Sequence, residues 1–230
     1  MNEMMSASAS IGVVISLLGY WIGVQLKKKF GYGFLNPLLI SIILVIAFLL
    51  VFRIDYDVYN SSAKYLSWFL TPATVSLAIP LYQQLERLKE NYKAILVSIL
   101  VGSITSMASV FLLALLFHFN HAQYVTFLPK SITTAIGMGV AEEMGGYAAI
   151  TAATIIVTGI FGNVIADAVL KLFHIDDPIA KGLALGTSAH AIGTAKAMEL
   201  GETEGAMSSL SIVVAGMITV IGANLFATLL

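Results

Sequence analysis

A group of side chains suited to holding an anion sits in LPKSITTAIGMGVAEEMGG, residues 128–146. Lys130 supplies an ammonium, and Ser131, Thr133 and Thr134 supply hydroxyls close behind it. Pro129 suits a first helical turn, and serine and threonine suit helix caps. The stretch is therefore expected to start a helix and to offer free backbone amides as well. An ammonium, hydroxyls and amides together are the groups that bind a carboxylate. Glu142 and Glu143 follow in the same stretch. They are candidates to carry a coupling proton, although an interfacial position at a helix end is the preferred reading of the pair.

A second group lies in LALGTSAHAIGTAKAMELG, residues 183–201. Gly186 and Gly193 bracket Thr187, Ser188 and His190, with Thr194 next. Histidine changes charge near physiological pH, so His190 can donate to a bound carboxylate or relay its proton. A third stretch, LTPATVSLAIPLY at 70–82, sets Thr71, Thr74 and Ser76 between Pro72 and Pro80. Each proline removes an amide donor and disturbs the preceding turn, and the hydroxyls can satisfy what is freed. Plainer roles stand beside these. Lys130 can snorkel to an interface, the hydroxyls can cap or bond between packed helices, and His190 can be a buried neutral histidine. Lys196 and Glu199 can pair with each other at i, i+3.

The elements that must position these groups follow from composition. Of 230 residues 58% are hydrophobic and 11% charged, against roughly 25% charged in soluble domains. Too few polar side chains exist to cover a water-facing surface, so an all-α polytopic membrane protein is expected, a single integral domain over residues 1–230. The net charge of −1 gives no bias toward nucleic acid. With no cysteine and four histidines outside any metal-ligand spacing, neither a metal site nor a cofactor is expected. No Ser–His–Asp set with an orienting spacing and no paired aspartates within spans suggest an enzyme.

A helix needs about 20 apolar residues to cross the hydrocarbon core. Uncharged runs at 4–26, 30–52, 65–85, 94–129, 144–166 and 205–230 reach that length, whereas 131–141 and 182–195 fall short. Seven or eight transmembrane segments are expected, some broken or re-entrant, and an inverted-repeat, transporter-like arrangement is compatible with them. Lys27, Lys28 and Lys29 after the first run mark it as an uncleaved anchor with its N-terminus outside the cytoplasm. Irregular backbone at membrane depth survives only when it is buried in protein or lines a watery cavity. The three interrupted stretches are thus expected to meet around a binding site.

The stretches FLNPLLI (34–40), PATVSLAIPLY (72–82), LPKSITTAIGM (128–138) and KGLALGTSAHAIGTAKAMELG (181–201) resemble the LrgB/CidB family of antiholin-like bacterial membrane proteins. The similarity extends over nearly the whole chain and lies nearer the CidB type, on PKSITTAIG and the spacing of Ser188, Ala189 and His190. The resemblance implies residence in the bacterial cell membrane and a small LrgA/CidA-type membrane partner, with homo-oligomers compatible. It implies either of two functions. One is a carrier of small monocarboxylates of the pyruvate, lactate or glycolate type, as in relatives that include a plastid glycolate/glycerate translocator. The other is a holin/antiholin-like component that modulates murein hydrolase activity and autolysis. The plastid form carries an LrgA-like fused segment that this sequence lacks, so the partner is expected as a separate chain.

Overall fold

The structure, a computed structural model, describes residues 10–31, 35–76 and 78–230, and the side chains of these except at 70, 71, 74, 80 and 81. Every regular element among the described residues is helical. The chain divides into two compact units, Met1–Ser76 and Leu77–Leu230.

In the first unit, α1 (Ile11–Phe30) packs against α2 (Pro37–Val51) and α3 (Tyr56–Ala63). Glycines make that approach close. A Cβ on Gly23 would lie 2.6 Å from the Pro37 carbonyl oxygen, and one on Gly12 would lie 2.7 Å from the Ala63 amide. The Gly12 amide donates to Ser62 Oγ at 2.9 Å. Pro37 occupies the first turn of α2, and Asn36 Oδ1 accepts from the amides of Leu38 and Leu39. The α1 end is marked by three lysines in its last turn and by Gly31 at φ 69°, where a side chain would be strained. A 3₁₀ segment (Lys64–Phe69) and α4 (Leu70–Ser76) complete this unit.

The second unit contains α5 (Ala78–Gln83), α6 (Leu85–Leu116), α7 (His121–Phe127), α8 (Thr134–Glu143), α9 (Ala148–Leu172), α10 (Pro178–Leu200) and α11 (Glu202–Ala227). Among the described residues four helices are long and apolar enough to cross a membrane: α1, α6, α9 and α11. The 15 residues of α2 are apolar but fewer. Two uncharged runs do not form single spans. Run 65–85 is divided among the 3₁₀ segment, α4 and α5. Run 94–129 ends its long helix at Leu116, turns at His118 with φ 54°, and restarts at Asn120. Asn120 and Gln123 close a reciprocal capping box there, a local bond pattern that overrides the absence of charge.

Two segments of this unit double back. The first arm of α10 runs antiparallel to α9, since Lys181 shares a recess with Lys171, and Leu185 packs with Ala166. Helical geometry fails at Ala189 (φ −126°) and His190 (φ 43°, ψ −136°). The second arm then returns parallel to α9, with Ile192 at Asn163 and Lys196 at Asp167. A Cβ on Gly193 would sit 2.3 Å from the Leu185 carbonyl oxygen. Residues 8 apart in an unbroken helix are about 12 Å apart along the axis, so the chain has reversed. The first arm, residues 178–188, is about 16 Å long at 1.5 Å per residue, half of a ~30 Å hydrocarbon core.

The other reversal joins α7 to α8. Along α7, His121 meets Leu230 and Tyr124 meets Phe226. Along α8, Ile136 reaches Gly216, and Met144 packs on the cluster containing Ala223 and Ala227. Thus α7 is antiparallel to α11 and α8 parallel to it, with the turn 128–133 at the tip. The two reversals approach from opposite ends of α11. Gly182 and Gly186 lie against the carbonyls of Glu204 and Ser208, both 2.4 Å from a built Cβ, which holds the first arm of α10 tightly to α11.

Candidate functional site

The turn at the α7–α8 tip carries Lys130. Its position differs from the expected helix start: α8 begins at Thr134, four residues later. The backbone from Phe127 to Ile132 is instead a pair of tight turns, closed by Lys130 N–H to Phe127 O and Ile132 N–H to Pro129 O. Thr133 occupies the N-cap position of α8 without a side-chain cap bond. The amide-rich helix start therefore lies beyond Lys130 rather than around it.

Lys130 Nζ donates to Ser131 Oγ at 3.1 Å and to Ser106 Oγ at 3.3 Å, and the two serine hydroxyls are 2.9 Å apart. No carboxylate pairs with Lys130 among the described residues. These groups line one side of a cavity of about 420 Å³ between α6 and the first arm of α10. Thr187 and Ser188 line it from α10, and Ser98, Thr105, Ser106 and Ser109 from α6, around Gly102. Thr187 is 8% exposed, and its Oγ1 has no hydrogen-bond partner. Its methyl carbon presses on α6, 2.7 Å from where Gly102 would carry a Cβ. A buried hydroxyl without a partner costs about 1–3 kcal/mol, and here that hydroxyl belongs to a wall residue of a cavity that also holds a cation.

The remaining sequence-derived residues lie elsewhere. His190 is at the α10 reversal, with its ring against Gly159 and Nε2 donating to Ile155 O at 2.9 Å. Thr194 Oγ1 donates to His190 O at 3.1 Å and is 2.7 Å from Ser208 Oγ. Asn163 Nδ2 donates to Ile192 O at 3.0 Å. These bonds satisfy backbone carbonyls of the broken helix and of α9 in buried surroundings. Neither His190 nor Thr194 lines the Lys130 cavity. Thr134 is the first residue of α8, and Glu142 and Glu143 are exposed at its end. The side chains of Thr71 and Thr74 lie outside the described residues. Lys196 bonds Asp167 at 2.7 Å and lies 3.9 Å from Glu199.

The sequence reading missed the α6 wall. Its signal was present: residues 98, 102, 105, 106 and 109 are all small or hydroxylated in an otherwise apolar run. Their spacing of three and four puts them on one helical face.

A model of the LrgB-like family matches residues 16–229. The chain belongs to the LrgB-like family. It is 41% identical over 216 residues, 94% of each chain, to the antiholin-like protein LrgB of Bacillus cereus (strain B4264), and equally to that of Bacillus anthracis (strain A0248). No solved structure matches it. Family membership and the apolar helices together make this LrgB-like chain a membrane protein. The matched region takes in both reversals and every residue of the Lys130 cavity.

Proposed function

We propose that this LrgB-like chain is an antiholin-like component of a bacterial cell membrane, and that it acts by passing a small monocarboxylate held at Lys130. The name shared by the Bacillus relatives supports the antiholin-like role. The carboxylate reading is carried by one observation. Lys130 faces a cavity with serine hydroxyls for neighbours and no acidic partner among the described residues. A charge withdrawn from water is stabilised only by a partner, and a carboxylate of the pyruvate, lactate or glycolate type supplies it. Ser106 and Ser131 would orient the anion, with Thr187 and Ser188 opposite. The cavity volume falls in the range of small-ligand sites, about 300–1,000 Å³.

The two opposed reversals, with Lys130 at one tip and Ser188 beside the other, support an inverted-repeat, transporter-like arrangement of seven or eight crossings. A small LrgA/CidA-type membrane protein would be the partner, and lysis effects would follow from altered carboxylate flux. The test is uptake of labelled pyruvate, lactate and glycolate into proteoliposomes, with and without such a partner. Saturable uptake lost in Lys130→Ala is the expected result. Unselective leakage of dye and ions would replace the carrier by a pore. Autolysis of cells carrying Lys130→Ala then links flux to lysis, and wild-type lysis behaviour in that strain would separate the two.

A further inference from the structure

We propose that a small anion reaches Lys130 from a charged mouth at the α9–α10 loop, along the cleft between α9 and the first arm of α10. The route rests on the reading of Lys130 as a carboxylate site and adds where the ligand comes from and what stands in its way.

Three recesses follow one another. The mouth, about 380 Å³, lies at the loop between α9 and α10. The cleft, about 330 Å³, shares Leu170 and Ile175 with the mouth as common walls. The hydroxyl-lined cavity shares Lys130, Ala184 and Ser188 with the cleft. Lys130 thus borders both the cleft and the cavity beyond it.

Charge is distributed along this series in an order that suits an anion. The mouth holds Lys171, His174 and Lys181 against Asp167 and Asp176. Asp167 is already engaged by Lys196 at 2.7 Å. Lys171 and Lys181 have no ion-pair partner among the described residues, so two ammonium groups at the mouth are open to an anion, with Asp176 beside them and Asp177 turned to cap the first arm of α10. The cleft walls beyond are apolar at Phe161, Ile165 and Val169. Low-dielectric walls focus the field of the charges at the two ends of a cleft. An anion drawn in by Lys171 and Lys181 next meets Lys130.

The partition is one turn of helix. Ser188 Oγ turns back to Ala184 O at 2.7 Å, and both residues are exposed in the cleft and in the cavity. Past them the way is closed: a Cβ on Gly162 of α9 would lie 2.7 Å from Ala189 Cβ. The ligand must therefore cross at Ala184 and Ser188 to reach the serine and threonine hydroxyls.

Because the chain contains no cysteine, single-cysteine variants of the full protein report on the route. Ile165→Cys and Val169→Cys mark the cleft wall, and Ser188→Cys, nearly the same size as the native side chain, marks the partition. Asp176→Cys marks the mouth's side of the membrane, and Leu225→Cys, at a residue 69% exposed on α11, is the reference. Membrane-impermeant anionic and cationic methanethiosulfonates are applied to each side of reconstituted vesicles, with rates normalised to a free thiol. From the side that labels Asp176→Cys, the cleft and partition variants should react at least tenfold faster than Leu225→Cys. The anionic reagent should be preferred, and Lys171→Glu with Lys181→Glu should reverse that preference. Millimolar pyruvate should slow labelling of Ser188→Cys. Rates at all three positions no faster than at Leu225→Cys, or reaction only from the opposite side, would overturn the route. If the wall is unreactive yet Lys130→Gln abolishes pyruvate binding, the site stands without the route. If the wall reacts as expected and Lys130→Gln leaves pyruvate binding unchanged, the route stands and the carboxylate site fails.

Discussion

Thr187→Val separates a ligand-binding hydroxyl from a packing residue by moving two quantities in opposite directions. The substitution keeps the branched shape and the methyl that presses on Gly102 and replaces Oγ1 with a second methyl. Oγ1 is buried without a partner, so its removal relieves about 1–3 kcal/mol of unmet desolvation. The variant should be more resistant to thermal unfolding in detergent when no carboxylate is present. On the proposed carboxylate reading, the native hydroxyl turns to the bound anion, a bond to a charged acceptor worth about 1.5–3 kcal/mol. Affinity should therefore fall roughly 10- to 150-fold, at about 1.4 kcal/mol per tenfold. Pyruvate titration by calorimetry, with unfolding measured in parallel, reads both signs. Ser103 provides the control: its hydroxyl is also buried and unpartnered, but it does not line the cavity. Ser103→Ala should leave pyruvate affinity unchanged. Loss of stability in Thr187→Val together with native affinity would mean that the hydroxyl has no role toward a ligand, and the reasoning from orphan group to site would fail.

Further outcomes follow from the same geometry. Lys130→Gln keeps hydrogen-bonding capacity but removes the charge, and labelled pyruvate uptake should fall at least tenfold, whereas Lys196→Gln, which breaks a bond to exposed Asp167, should change stability by less than about 1 kcal/mol. His190→Ala removes the imidazole that donates to Ile155 O and packs on Gly159 and should cost about 0.5–3 kcal/mol in thermal unfolding, while pyruvate affinity per folded molecule stays within threefold of native; a large affinity loss would move His190 into the binding machinery. Gly186→Ala would force a methyl to 2.4 Å from the Ser208 carbonyl oxygen, backbone that cannot yield, and the variant should fold poorly by size-exclusion chromatography. Gly139, within α8 with nothing near a built Cβ, should tolerate alanine with a gain of about 1 kcal/mol.

Local chemistry carried several features of the protein in the sequence itself. An apolar chain with 11% charged residues cannot clothe a soluble fold, so its membrane class followed from composition alone. The short segments at 131–141 and 182–195 were legible because too few apolar residues separate their flanking charges, and Gly186 and Gly193 around Thr187, Ser188 and His190 flagged the break within residues 183–201. Uncharged length overran the span at 94–129, because the chain turns at His118 (φ 54°) and a capping box at Asn120 starts a new helix with no Asp, Glu, Lys or Arg between.

What tertiary structure alone decided is the company each polar group keeps. Lys130 and Ser106 are 24 residues apart and Lys130 and Ser188 are 58 apart. No periodicity links them, because two reversals of the chain bring them to one cavity. His190 and Thr187 are three residues apart, which sequence reads as neighbours, yet the sharp turn at Ala189–His190 sends one side chain to Ile155 and leaves the other at the cavity. A bilayer demands that polar groups be buried against protein, and composition states that demand, but which partners meet it depends on how the helices pack.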